Sequence, residues 1–176
     1  MSKSVSAISA PRSSGKKQRA QAQGLVTDLA LHTLGWKAFQ DLCAQVCSEV
    51  LQQSVSIYRE AQDGGQDAVF LVRPKKAQGK GKGKSKTGTV QCKFASNPSR
   101  RLKLGDITVE KETIGELVSK GEAHAYTLIT SMGVDAPVAA DIRSALKDLG
   151  VEEPNVFGKE WITQQIRASS RLRALV

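Results

Sequence analysis

Two strand-like runs joined by a Lys/Gly tract constrain this chain most. Residues 68–72 (Ala-Val-Phe-Leu-Val) and 88–94 (Gly-Thr-Val-Gln-Cys-Lys-Phe) are rich in apolar and β-branched side chains, and the tract between them is turn material. The pair predicts an antiparallel hairpin with the tract at its tip. In a strand, residues i and i+2 share a face, so Gln91 and Lys93 point together and Cys92 points away into the packing. Asp67, closing the turn-like Asp63-Gly64-Gly65-Gln66-Asp67, enters the facing strand. In the natural hairpin register a carboxylate, an amide and an ammonium then approach one point.

The rest of the chain supplies a frame for this hairpin. A short helix is predicted over 25–34, with Leu25, Val26 and Leu29 on one face, and Gly35 breaks it. Over 36–51 the residues Trp36, Phe39, Leu42, Cys43, Val46, Cys47, Val50 and Leu51 fall on one helical stripe, which predicts a helix packed on a core. A first strand is read at 55–58, a helix at 106–120, and a buried central strand at 126–130 (Tyr-Thr-Leu-Ile-Thr). Pro137 opens a helix that runs to 149, and Gly150 stops it. A short strand at 155–157 and a helix at 159–168 close the pattern. This order predicts an α/β fold, a mixed β-sheet flanked by helices.

Charge enters through its location. The net charge is +9, yet residues 1–24 and 73–88 together hold twelve basic groups and no acid. Removing these twelve from 26 leaves 14 basic groups against 17 acidic, so a slightly acidic body carries two basic segments. Residues 1–24 are too polar to bury a core and read as a disordered arm. Residues 25–168 read as one domain with a basic hairpin tip at 73–88. Attraction to a polyanion is the physical expectation. Lys80, Lys82, Lys84 and Lys86 of the tip, with Arg100 and Arg101 beyond the strand, are the candidate DNA-binding residues. The chain shows no apolar run near the roughly 18 residues of a membrane span, and its three cysteines form no disulfide framework. Both features suggest a reducing cytoplasm.

Asp67 suits a Mg²⁺ ligand, because hard cations take carboxylate, carbonyl and water oxygens. The Gln91 side chain and the Cys92 backbone carbonyl could add oxygens. Lys93 would orient or deprotonate a water and offset charge developing on a phosphoryl group. Taken singly, Asp67 reads as a turn residue and Lys93 as a solvated strand lysine; their conjunction with Gln91 favours a site. Other patterns weigh less. The tract 79–85 lacks the glycine at position 78 that a phosphate-binding P-loop needs, and Cys43 and Cys47 read as core residues.

Phe39-Gln40, Gly64-Gly65-Gln66-Asp67 and Gln91-Cys92-Lys93 resemble the motifs of the PD-(D/E)xK nuclease superfamily, and within it the Mrr-like restriction endonuclease group. The segments Leu34-Gly35-Trp36-Lys37-Ala38-Phe39-Gln40, Phe157-Gly158-Lys159-Glu160-Trp161-Ile162 and Ser170-Arg171-Leu172-Arg173 resemble the N-terminal nuclease module of bacterial STAND-type antiphage defence ATPases. The resemblance implies a restriction-endonuclease-like fold and a Mg²⁺-dependent DNA endonuclease, with Mn²⁺ as a substitute. It implies catalytic roles for Asp67, Gln91, Lys93 and Gln40, and activation as a homo-oligomer, a dimer or tetramer, in a bacterial cytoplasm. Residues 169–176 then read as the start of a linker toward a further C-terminal region. Family members often carry a helix glutamate where this chain has Gln40, and the neighbouring Asp41 points away from the apolar stripe. Asp67 would be the only carboxylate of the core motif, with Asp63 a possible second, which implies weak metal affinity. Two alternatives differ in kind: a non-catalytic nucleic-acid-binding module with a decayed site, and a structure-specific junction nuclease.

Overall fold

A computed structural model describes residues 29–50, 54–58, 67–73 and 88–176. The arm 1–24, the turn 63–66 with Asp63, and the tip lysines Lys80, Lys82, Lys84 and Lys86 lie outside the described residues.

Five strands lie side by side in chain order: β1 (Ser54–Tyr58), β2 (Asp67–Arg73), β3 (Gly88–Lys93), β4 (Ala125–Thr130) and β5 (Glu153–Phe157). β1, β2 and β3 pair antiparallel, and β3, β4 and β5 pair parallel. The sheet is therefore mixed, with helices on both faces, as the order of elements predicts. Antiparallel neighbours can be joined directly, whereas each parallel step needs a crossover. α2 (Gly105–Thr108) and α3 (Lys111–Ser119) make the first crossover, and α4 (Ala136–Asp148) makes the second.

Alternation along the strands divides the interior into two layers. Val90, Cys92 and Ile129 face α1 (Gly35–Val50), α5 (Lys159–Ala168) and α6 (Ser170–Arg173), where they meet Phe39, Cys43, Val46, Cys47, Ile162, Ile166 and Leu172. Tyr126, Leu128 and Val156 face the other way and join Ile107, Ile114, Ile142 and Leu146 of the crossover helices. β4 is buried along nearly its whole length, as befits a strand paired on both sides and covered on both faces.

Several boundaries depart from the pattern in the sequence. Over 25–34 the described part holds only a 3₁₀ turn at Leu31–Thr33, and Gly35, at φ +76°, redirects the chain into α1. Trp36 and Val50, read as stripe residues, stand 43% and 37% exposed because the core does not reach the ends of α1. The helix predicted over 106–120 is two helices, broken at Val109–Glu110. Beyond 168 the chain turns once more into α6, whose Leu172 is buried in the α1 layer. Ser169 caps α6 by accepting from the Leu172 amide at 3.2 Å, and its hydroxyl donates to Glu49 of α1.

Candidate functional site

β3 occupies the middle of the sheet and all six of its residues are buried. Its odd-numbered side chains, Thr89, Gln91 and Lys93, are polar and face the crossover layer. Each finds a partner in the segment 110–126. Thr89 Oγ1 donates to the Glu122 carbonyl at 2.9 Å. The Tyr126 hydroxyl donates to Gln91 Oε1, and Lys93 Nζ donates to Glu110 Oε1. A lysine only 8% exposed is an uncommon burial that requires an opposite charge close by, because a lone buried ammonium is strongly disfavoured. Glu110 provides that charge.

The hairpin register is the one the alternation predicts. Asp67 stands directly opposite Lys93, and Val69 opposite Gln91. Directly opposed residues of an antiparallel pair have Cβ atoms roughly 4.5–5.5 Å apart. Backbone register therefore brings position 67 beside Lys93, with Gln91 one step along the same face. Cys92 turns to the other layer with Cys43 and Cys47. Burial pushes the thiols of Cys43 and Cys47 well above the ordinary cysteine value, and a hydrogen bond between Cys43 and Cys92 adds to the rise at Cys43. These thiols are core groups, as the helical stripe over 36–51 predicts for Cys43 and Cys47.

Gln40 and the two arginines are placed differently. Gln40 belongs to α1, which packs on the Cys92 face, so the sheet separates its helix from the face that carries Gln91 and Lys93. Asp41 is exposed, as its place on the helical wheel predicts. Arg100 bonds Asp106 at 2.8 Å, and Arg101 forms a two-pronged pair with Asp135, its Nε donating to Oδ2 at 2.8 Å. The Asp135 carboxylate raises the pKa of Arg101, and the guanidinium lowers that of Asp135. Both arginines are exposed, but each already faces an acid.

Glu110 and Tyr126 complete a polar cluster that the motif reading did not contain. Glu110 sits where α2 ends and α3 begins, at φ −107° and ψ 3°, and its side chain makes no cap bond to its own helix. Among the described residues no group of three or more His, Cys, Asp or Glu is arranged to hold a metal ion. Gln91 Oε1 accepts from Tyr126 and Glu110 Oε1 from Lys93, and the backbone register puts position 67 opposite Lys93. No helix among the described residues is long and apolar enough to cross a membrane. Comparison of the chain with models of known protein families, with curated proteins and with solved structures found no match.

Proposed function

We propose that the chain is a Mg²⁺-dependent DNA endonuclease with a restriction-endonuclease-like fold. The observation that carries the reading is Lys93, buried at the middle of the sheet, directly across from Asp67 in register and one step from Gln91 on the same face. An antiparallel meander continued by two parallel strands, with helices on both faces, supports the fold. Hydrolysis of a phosphodiester requires a positioned water and compensation of the charge that develops on phosphoryl oxygens. Asp67, the Gln91 amide oxygen and the remaining lone pair of the Cys92 carbonyl would hold the cation; when bound, it supplies Lewis-acid polarisation and a more acidic water. Lys93 contributes a fixed positive charge beside the scissile phosphate, with a proton available to a phosphoryl oxygen. Tyr126 keeps the Gln91 amide in one orientation.

Double-stranded DNA with little sequence preference is the proposed substrate, held by the basic tip through its backbone. Activation by homo-oligomerisation, as an effector domain in bacterial antiphage defence, completes the proposal and accommodates a site with few carboxylates. The test is plasmid nicking in Mg²⁺ with and without EDTA, at low and high protein concentration. Wild type is expected to cleave, and Lys93→Ala and Asp67→Ala to lose at least about 10²-fold in rate, the size seen when one charge-stabilising group is removed. Undiminished cleavage by either variant would sink the reading.

One observation favours a second reading, a nucleic-acid-binding module without catalysis. Thr89 and Lys93 are engaged by the crossover and Gln91 by β4, as they would be if this face of β3 only held the fold together. DNA binding without cleavage at any protein concentration would establish it.

A further inference from the structure

Glu110 occupies a place that neither helix formation nor core packing calls for. The apolar residues Ile107 and Ile114 are buried on either side of it and lie seven apart, as one continuous helix would place them. The chain nevertheless breaks between them. Glu110 takes up backbone angles in the sparsely populated bridge region, where residue i+2 of tight turns and many active-site residues are found. At the head of α3 a serine, threonine or aspartate would cap the helix, and glutamate is a poor substitute. Its side chain leaves the helix uncapped and reaches across to the ammonium of Lys93. The side chains of the pair are only 10% and 15% exposed.

Stability alone does not account for such a pair. The cost of removing two charges from water usually offsets their attraction, so a buried ion pair does little more for the fold than well-packed apolar residues would. What the pair does provide is one fixed position for a long side chain with four rotatable bonds. From the neighbouring strand β4, Tyr126 fixes Gln91. The two polar groups of β3 nearest position 67 are thus both held, Lys93 by a carboxylate of the crossover and Gln91 by a hydroxyl of the neighbouring strand β4.

We propose that Glu110 is a positioning residue of the nuclease site: through its ion pair it fixes the Lys93 ammonium on the face of β3 that carries position 67. The inference rests on the nuclease reading for its consequence in catalysis, but the positioning itself can be read without turnover. Glu110→Gln keeps the shape and an acceptor oxygen but removes the charge. Glu110→Asp keeps the charge on a side chain shorter by one methylene.

Two measurements on the full chain test the proposal together. The first is kcat and KM for plasmid cleavage in Mg²⁺ for wild type, Lys93→Ala, Glu110→Gln and Glu110→Asp. The second is the rate at which acetic anhydride acylates Lys93, followed by peptide mass spectrometry on the same proteins, with thermal melts to confirm folding. The expected result is a fall in kcat of about tenfold or more in Glu110→Gln with KM little changed, the pattern of a group that acts in the transition state. Lys93 acylation should rise several-fold in that variant, and Glu110→Asp should recover part of both. If Lys93→Ala is inactive while Glu110→Gln keeps wild-type kcat and wild-type labelling, the positioning role is overturned and the nuclease reading stands. If wild type does not cleave, the nuclease reading fails, and labelling alone decides whether Glu110 holds Lys93. Should Glu110→Gln not fold, Glu110→Asp carries the decision: wild-type labelling and kcat there, despite the shortened reach, would overturn the proposal.

Discussion

At the scale of single residues, the site depends on buried polar atoms meeting each other. Tyr126 is 1% exposed and its hydroxyl is satisfied by Gln91 Oε1, itself buried. Tyr126→Phe removes the donor and leaves the amide oxygen short of a partner, at a cost of about 1–3 kcal/mol in urea unfolding. In the double variant Tyr126→Phe/Gln91→Leu no polar group is stranded at that point, so it should lose less than the sum of the single changes; strict additivity would mean the two side chains are not coupled. This pairing could have been suspected from the sequence, because a tyrosine in a buried strand needs a hydrogen-bond partner for its hydroxyl. Reading 126–130 only as an apolar run concealed it. Glu110 left a weaker signal in Val109, which one continuous helix over 106–120 would place off the Ile107–Ile114 stripe; it lies at the break and stands 83% exposed. Its meaning depended on Lys93 being buried, a fact set by the crossover and not by local pattern.

At the scale of elements, the strands, their antiparallel register and most of the helices were legible because each is written in a local period. Alternation in 88–93 placed Gln91 and Lys93 on one face, and the antiparallel pairing with 67–73 follows the two apolar runs. The helix break, and the layer on which α1 lies relative to Gln91, are products of three-dimensional packing and carry no such period. One inter-element tie belongs here as well. Arg101 bridges Gly133 in parallel fashion, with the Leu102 amide donating to the Gly133 carbonyl at 3.1 Å, and its guanidinium grips Asp135 at the head of α4. The loop after β3 is thereby joined to the loop after β4. Because the guanidinium depresses the Asp135 pKa, the contribution is present above the ordinary carboxylate range and is lost as pH falls through the lowered folded value. Both groups face solvent, so salt should weaken it. Asp135→Asn should lower the melting temperature slightly at neutral pH and low salt. The difference from wild type should vanish in strong acid or molar salt; a difference that persists in both would rule out a charge effect.

At the scale of the whole molecule, the charge pattern and the fold divide the work. The described body holds two apolar layers on either side of one sheet, while the densest basic segments of the sequence fall outside the described residues. The fold class was readable because strand and helix periods alternate along the chain; the composition of the site was only half readable, because Glu110 joins it from a crossover that returns over the sheet. That return has a consequence for how the molecule opens. Thr89 and Lys93 are two rungs by which β3 grips the crossover at Glu122 and Glu110, so α3 cannot lift from the sheet without exposing two buried polar side chains at once. The crossover and the central strand should therefore behave as one cooperative opening unit, a foldon, and not as a helix that frays from a stable sheet. In native-state hydrogen exchange the amides of 90–93 and 114–118 should share one opening free energy and the same dependence on denaturant. Earlier release of α3 would show that the rungs do not bind the two together. The lysine proposed for chemistry would then be organised only when a sizeable part of the domain is closed, and local breathing would dismantle the site before the fold itself was lost.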